Sequence, residues 1–162
     1  MVKDCRLKRQ EVLPTIKKPG KTTTTVSVGR EEMARILIAD DDPDICSFLC
    51  RIVRKAVPDA QIDTARDGDE CLDKLCSIPI DLALIDVQIP RLSGLDVMYI
   101  IRRKGLEVDI VLLSGWATAE MARRAARAGA QDLLEKPIIV HEIMGAVHHF
   151  SGKVGIPVGK GE

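Results

Sequence analysis

Three kinds of side chain in this sequence could together handle a phosphoryl group. Asp40, Asp41 and Asp42 form an unbroken acidic run, and Asp86, Ser114 and Lys136 follow far apart along the chain. Carboxylates gathered in one pocket repel and raise each other's pKa unless a cation compensates them. Mg2+ is a fitting cation, since it takes carboxylate oxygens, a backbone carbonyl and several waters. Lysine is a compact point charge suited to phosphate oxygens, and a serine hydroxyl can hydrogen-bond one of them. A carboxylate in such a site can itself be the nucleophile and form an aspartyl-phosphate. The transfer then rests on positioning and charge stabilisation. No His or Cys dyad stands near these residues and no Gly-rich loop is present to hold a nucleotide. The phosphoryl group is therefore expected from an outside donor rather than from bound ATP.

Such residues work only if the fold brings them together. Ile36–Ala39 is a short continuous apolar run, as in a strand buried on both faces. Asp42 or a neighbouring Asp can cap a helix with Pro43 in its first turn. Ile45, Phe48, Leu49, Ile52 and Val53 then follow at helical spacing. The unit recurs. Strands are predicted at Gln61–Ala65, Leu82–Ile85, Ile110–Leu113 and Leu133–Leu134. Helices are predicted after Asp67-Gly68, over about Ser93–Lys104, over 118–128, and from about Ile139 to Phe150. Cys71, Leu72, Leu75 and Cys76 line the second helix, and Ile143, Val147 and Phe150 the last. Strictly alternating strands and helices imply an α/β fold with a parallel sheet and helices on both faces. Ligands in such sheets bind beyond the carboxyl ends of the strands. Those ends carry Asp40–Asp42, Asp86, Ser114 and Lys136. If the first and third strands are neighbours, about 4.8 Å apart, their acids share one pocket. Asp86, at a strand terminus rather than on a turn, is the best-placed nucleophile.

Composition narrows the function classes. The chain has 162 residues, 24 Lys+Arg and 24 Asp+Glu, with 46% hydrophobic and 2% aromatic residues. Few aromatics argue against base-stacking nucleic-acid modules, and neutrality against wholesale binding to phosphate backbones. No apolar run approaches the roughly 18 residues of a membrane span. The neutrality is uneven. Residues 1–34 hold eight Lys/Arg against four Asp/Glu, and residues 35–162 hold sixteen against twenty. Residues 1–34 read as a flexible basic extension, and residues 151–162 as a flexible Gly-rich tail. Gly20-Lys21-Thr22 resembles the end of a P-loop, but Thr15 stands where that pattern needs glycine. Cys5, Cys46, Cys50, Cys71 and Cys76 include no CxxC pair, and read as thiols of a reducing, cytoplasmic setting. Cys46 and Cys50 are four apart; buried thiols are the commoner explanation than half a metal site.

The stretches Ile36-Leu37-Ile38-Ala39-Asp40-Asp41-Asp42, Leu84-Ile85-Asp86-Val87-Gln88-Ile89-Pro90 with Gly94, Leu113-Ser114-Gly115 and Glu135-Lys136-Pro137 together resemble the receiver domain of bacterial two-component response regulators. The resemblance covers residues 35–150 and is nearest to receivers of transcriptional regulators. It implies a flavodoxin-like (βα)5 doubly wound sheet with strand order 2-1-3-4-5. It implies that Asp86 accepts phosphate from a sensor histidine kinase or a histidine phosphotransfer protein. It implies Mg2+ held by Asp41, Asp86 and the backbone carbonyl of Gln88, with Asp40 acting through water. Ser114 would move onto the phosphoryl group and switch a partner-binding surface of the fourth helix, fifth strand and fifth helix. Lys136 would contact the phosphate, and the Lys136–Pro137 peptide would be cis. An unidentified downstream protein, and a homodimer formed on phosphorylation, are the partners that fit; direct nucleic-acid binding is not expected. The sequence departs from the family at Leu133, where an aromatic is usual. Trp116 and Gln88 occupy positions that in the family tune hydrolysis of the phosphoaspartate.

Simpler readings stand beside these. One of the three acids at 40–42 serves as a helix cap. Arg123, Arg124 and Arg127 form a solvated face more readily than a docking face. His141, His148 and His149 are surface or packing residues, the adjacent pair pointing different ways. Tyr99 and Met98 belong to the core or rim of the third helix. A dozen residues follow Phe150, without a helix-turn-helix or ATPase pattern. A stand-alone switch is therefore the first expectation, and the regulatory fragment of a larger transcription factor the alternative. A metal-dependent phosphohydrolase is a third reading, but its second acid would fall at Gln88. Residues 1–32 are either an over-extended start, with Met33 the true one, or a basic arm for an acidic partner or membrane surface.

Overall fold

Four strand residues with no polar side chain, Ile36–Ala39, are all buried. A strand can be so only if both faces of its sheet are covered. The computed structural model, which describes residues 33–155, shows how this is met. The chain alternates β1 (Arg35–Ala39), α1 (Pro43–Ala56), β2 (Gln61–Ala65), α2 (Gly68–Ser77), β3 (Leu82–Asp86), α3 (Gly94–Arg103), β4 (Asp109–Ser114), α4 (Ala119–Arg127), β5 (Asp132–Glu135) and α5 (Val140–Val154). The strands form one sheet in the order β2-β1-β3-β4-β5, and all four pairings are parallel. This is the flavodoxin-like topology expected from the resemblance. Expectations for residues 1–32, among them Cys5, the Gly20-Lys21-Thr22 run and the alternative start, lie outside the described residues. So do those for residues 156–162.

Side-chain alternation along the strands sorts the apolar residues into two cores. Leu37, Ala83, Ile85, Ile110 and Leu112 meet Cys71, Leu75, Val97, Met98 and Ile101 of α2 and α3. Ile36, Ile38, Leu82, Leu84, Val111 and Leu113 meet α1 and α5 through Leu49, Val53, Ile143, Val147 and Phe150. Side chains Asp42, Asp67, Ser93 and Thr118 cap α1 to α4, each such cap stabilising by about 1 kcal/mol.

Two elements differ from the sequence reading. The buried face of α1 is Cys46, Leu49, Ile52, Val53 and Ala56, while Phe48 is 39% exposed. The stripe is rotated because Cys46 packs as a small apolar group and donates its S–H to the Asp40 carbonyl. Helix α5 also continues past Phe150 to Val154, ending at Gly155 with φ 70°. Ser151, expected to begin the Gly-rich tail, is buried, and its hydroxyl donates to the Val147 carbonyl. That bond satisfies the hydroxyl within its own helix.

Two expected results arise from the packing. Burial pushes the Cys71 thiol up to about 12. Only a thiolate attacks an alkylating reagent. Cys71 should therefore escape iodoacetamide near pH 8 in the folded protein and react once it is denatured, as peptide mass spectrometry will read. On the sheet edge, Arg35 Nε donates to Asp63 Oδ2 at 2.7 Å. That hydrogen bond, opposed by burial, holds the Asp63 carboxyl below the usual carboxylate range. A depressed folded value stabilises above the unfolded value and is lost as pH falls through the folded one. Asp63→Asn should cost about 0.5 kcal/mol near neutral pH, allowing for solvent screening. The deficit should disappear in strong acid, as denaturant titrations at the two pH values will show.

Candidate functional site

The carboxyl ends of β1, β3, β4 and β5 lie side by side, so the residues that end these strands meet one another. Asp40 directly follows β1, and its N–H donates to the Ala65 carbonyl of β2. Asp86 is the last residue of β3. Ligand atoms of Asp40, Asp41 and Asp86 lie within 4.8 Å of one another. Asp40 and Asp86 are 1% and 5% exposed, whereas Asp41 faces solvent. The expected acidic pocket is present, and Asp42, the third acid of the run, is the α1 cap.

Lys136 enters from β5. Its ammonium donates to Asp40 Oδ2 at 2.7 Å and to Asp86 Oδ2 at 2.6 Å. Burial penalises the ammonium, but the hydrogen bonds and charges of the two carboxylates outweigh it and raise its pKa. Burial also dominates at Asp40, pushing its carboxyl up against the pull of Lys136 and the Asp42 N–H. The second Asp86 oxygen, Oδ1, accepts the Gln88 N–H at 2.9 Å. Asp40 Oδ1 accepts the Asp42 N–H in the same way. Both buried carboxylates are thus oriented by a backbone donor two residues ahead.

Ser114 ends β4 and is fully buried. Leu113 is the register partner of Asp86, so Ser114 stands one residue beyond it on the next strand. The Ser114 Oγ accepts the Trp116 N–H at 3.1 Å, and its carbonyl accepts the Lys136 N–H at 2.7 Å. Trp116 itself is 74% exposed. The Lys136–Pro137 peptide is cis. Leu133 on β5 is half-buried and packs on the α2–α3 side of the sheet.

The donor set is three carboxylates balanced by one ammonium, all hard oxygens on the metal side. It fits a hard divalent cation such as Mg2+. Asp40, Asp41 and Asp86 are the carboxylates whose oxygens lie close enough together to share it. Among the described residues no other group of three His, Cys, Asp or Glu could hold a metal. Cys46 and Cys50 do not form part of one, nor do His141, His148 and His149 on α5.

Two contributors are not evident from residue type. In the sequence Gly94 is only one member of a motif. A Cβ there would sit 2.5 Å from the Asp86 carbonyl oxygen, so the helix start presses directly on the acceptor strand. Arg91, in the loop between β3 and α3, has φ 72° and ion pairs to Asp67 and Asp69. Nothing in its residue type signals either feature; only Pro90 beside it marks a turn.

Comparison with known proteins agrees with this fold. Residues 36–148 match the family described as "Response regulator receiver domain". The nitrogen assimilation regulatory protein NtrX of Azorhizobium caulinodans is 38% identical over 104 residues, which is 63% of this chain and 22% of that protein. A protein-glutamate methylesterase/protein-glutamine glutaminase of Rhodospirillum centenum is 28% identical over 130 residues, covering 79% of this chain and 33% of the relative. The chain thus spans a third or less of these two relatives. The receiver domain of Francisella response regulator 1452 superposes with a TM-score of 0.69 at 25% identity, over 75% of this chain and 98% of that one. Among the described residues no helix is long and apolar enough to cross a membrane.

Proposed function

Since the chain belongs to the response regulator receiver family of two-component systems, we propose that Asp86 is its phosphoacceptor and that a sensor histidine kinase or histidine phosphotransfer protein is the donor. One observation carries this reading: a buried carboxylate at the end of a central strand shares a lysine with Asp40 and faces Asp41.

Asp86 would attack the phosphorus of a phosphohistidine. The new P–O bond forms as the P–N bond breaks, and the electron pair leaves with the imidazole. The Gln88 N–H holds one Asp86 oxygen and so aims the other. Lys136, already on Asp86 Oδ2, can follow the charge onto the phosphoryl oxygens. Mg2+, held by Asp40, Asp41, Asp86 and the Gln88 carbonyl, would neutralise charge developing on the phosphoryl group. Ser114 would then turn its hydroxyl from the Trp116 N–H to a phosphoryl oxygen. That change would pass to a partner-binding surface on α4, β5 and α5. The protein is in this reading a cytoplasmic signalling acceptor rather than a turnover enzyme.

A second reading, the regulatory portion of a larger regulator, is favoured by the fraction of each relative that is matched. Both readings use the same acceptor. Incubation with MgCl2 and acetyl phosphate should add one phosphoryl group, labile to hydroxylamine, on the peptide holding Asp86. No uptake from acetyl phosphate, or uptake on another residue, overturns the assignment.

A further inference from the structure

A second device on the molecule bears on the same site, and its role depends on the function proposed for that site. Gln88 lies in the loop that leaves β3, and that loop is tied at its far side to the start of α2. The Gly68 N–H donates to the Pro90 carbonyl at 3.0 Å. A Cβ at Gly68 would stand 2.1 Å from the Leu92 carbonyl oxygen, so only glycine lets the two backbones meet. Arg91 Nε lies 3.3 Å from Asp67 Oδ2 and its second nitrogen 3.3 Å from Asp69 Oδ2. Asp67 serves twice, since its other oxygen caps α2 by accepting the Glu70 N–H. Arg91 holds φ at 72°, a backbone state unfavourable for a residue with a side chain. Such a state persists only where surrounding contacts over-determine it. The Leu92 N–H closes the turn locally on the Pro90 carbonyl at 3.0 Å, while the exposed guanidinium contributes no core packing; its ion pairs and the Gly68 contact are what tie that turn to α2.

We infer that Arg91 is a positioning residue: its strap to Asp67 and Asp69 holds the β3–α3 loop so that the Gln88 carbonyl can complete the Mg2+ site. Its sign can be separated from simple charge effects. Arg91 is a cation on the metal-bearing loop, so by Coulomb's law alone its removal strengthens Mg2+ binding. Positioning demands the reverse.

The test is Arg91→Gly in the full chain, which deletes the strap and removes the backbone strain together. MgCl2 titration followed by Trp116 fluorescence and calorimetry should show Mg2+ bound roughly three- to fivefold more weakly, the scale of partly exposed ion pairs. In EDTA the Gly68 and Leu92 amides should exchange faster, with the thermal midpoint unchanged. Arg91→Glu should also weaken Mg2+ binding, and Asp69→Arg added to it should restore part of the loss. Equal or tighter Mg2+ binding by Arg91→Gly overturns the strap, as does a collapse of its thermal midpoint. Failure of the parent protein to bind Mg2+ overturns instead the reading on which the strap depends.

Discussion

Asp86→Asn should abolish phosphoryl uptake, by more than about a thousandfold as for loss of a nucleophile elsewhere, while the protein stays folded. The side chain keeps its shape. An amide oxygen can still accept the Gln88 N–H that Asp86 Oδ1 accepts now, and Lys136, which loses its Asp86 Oδ2 acceptor to an amide NH2, keeps its bond to Asp40 Oδ2. What is lost is the anionic oxygen that forms the P–O bond. The parent treated with acetyl phosphate or beryllofluoride should change Trp116 fluorescence, since that residue's N–H sits on the Ser114 hydroxyl. The variant should show no such change. Intact mass and fluorescence measured together make the result decisive: stable phosphorylation of the variant would remove Asp86 from the centre of the proposal.

The second large effect is on stability. In Lys136→Met the cation that bridges Asp40 and Asp86 disappears, and those carboxylates are buried. Removing one partner from a buried charge group typically costs 3–5 kcal/mol. The lysine end is partly open to water, so a loss of about 3 kcal/mol near neutral pH in EDTA is expected. The pH dependence should run against that of most acid-sensitive proteins. Burial already raises the Asp40 carboxyl, and losing Lys136 raises it further in the same direction. A carboxyl raised on folding destabilises when ionised; the penalty shrinks as pH falls below its folded value and is gone below the unfolded one. The deficit of Lys136→Met should therefore shrink on acidification, and MgCl2 should restore part of it at neutral pH. Chemical denaturation at two pH values, with and without MgCl2, measures both. An unchanging deficit would mean that the three acids do not depend on Lys136 for compensation.

How much of this could be seen before folding depends on how local each cause is. The strands β1, β3 and β4 are continuous apolar runs, and a run buried on both faces announces itself without knowledge of its neighbours. The residues that end them could be picked out for the same reason, since a parallel sheet gathers its carboxyl ends. The order of the strands came from the family resemblance, because periodicity says nothing about which strand lies beside which. Local pattern misled at Phe48, whose helical spacing is right but whose face is not. There Cys46, small and weakly polar, takes the inner position. It misled again at Ser151, whose hydroxyl is satisfied one turn back in its own helix. Arg91 was invisible for a different reason. Its turn is closed locally by the Leu92 N–H on the Pro90 carbonyl, but the partners of its side chain, Asp67 and Asp69, lie more than twenty positions earlier.

Helix α4 is held to the sheet by little: Ala125 is its one fully buried residue, with Met121 half-buried beside it. Its far end is held firmly. Arg102 of α3 donates to the carbonyls of Ala128 and Gly129 at 3.2 and 2.9 Å, and to Leu106 and Val108 on its own side. Moving a two-state equilibrium from one in a hundred to ninety-nine in a hundred takes about 5.5 kcal/mol of differential binding. On the proposed reading, a helix with so small a buried face would keep the free-energy gap between its placements narrow, and a single new bond at Ser114 would suffice to shift the populations. The Arg102 clamp would then make that shift a rotation about a fixed end instead of a loss of the helix. The residue that does least for the acceptor chemistry would then decide the form in which its outcome is transmitted.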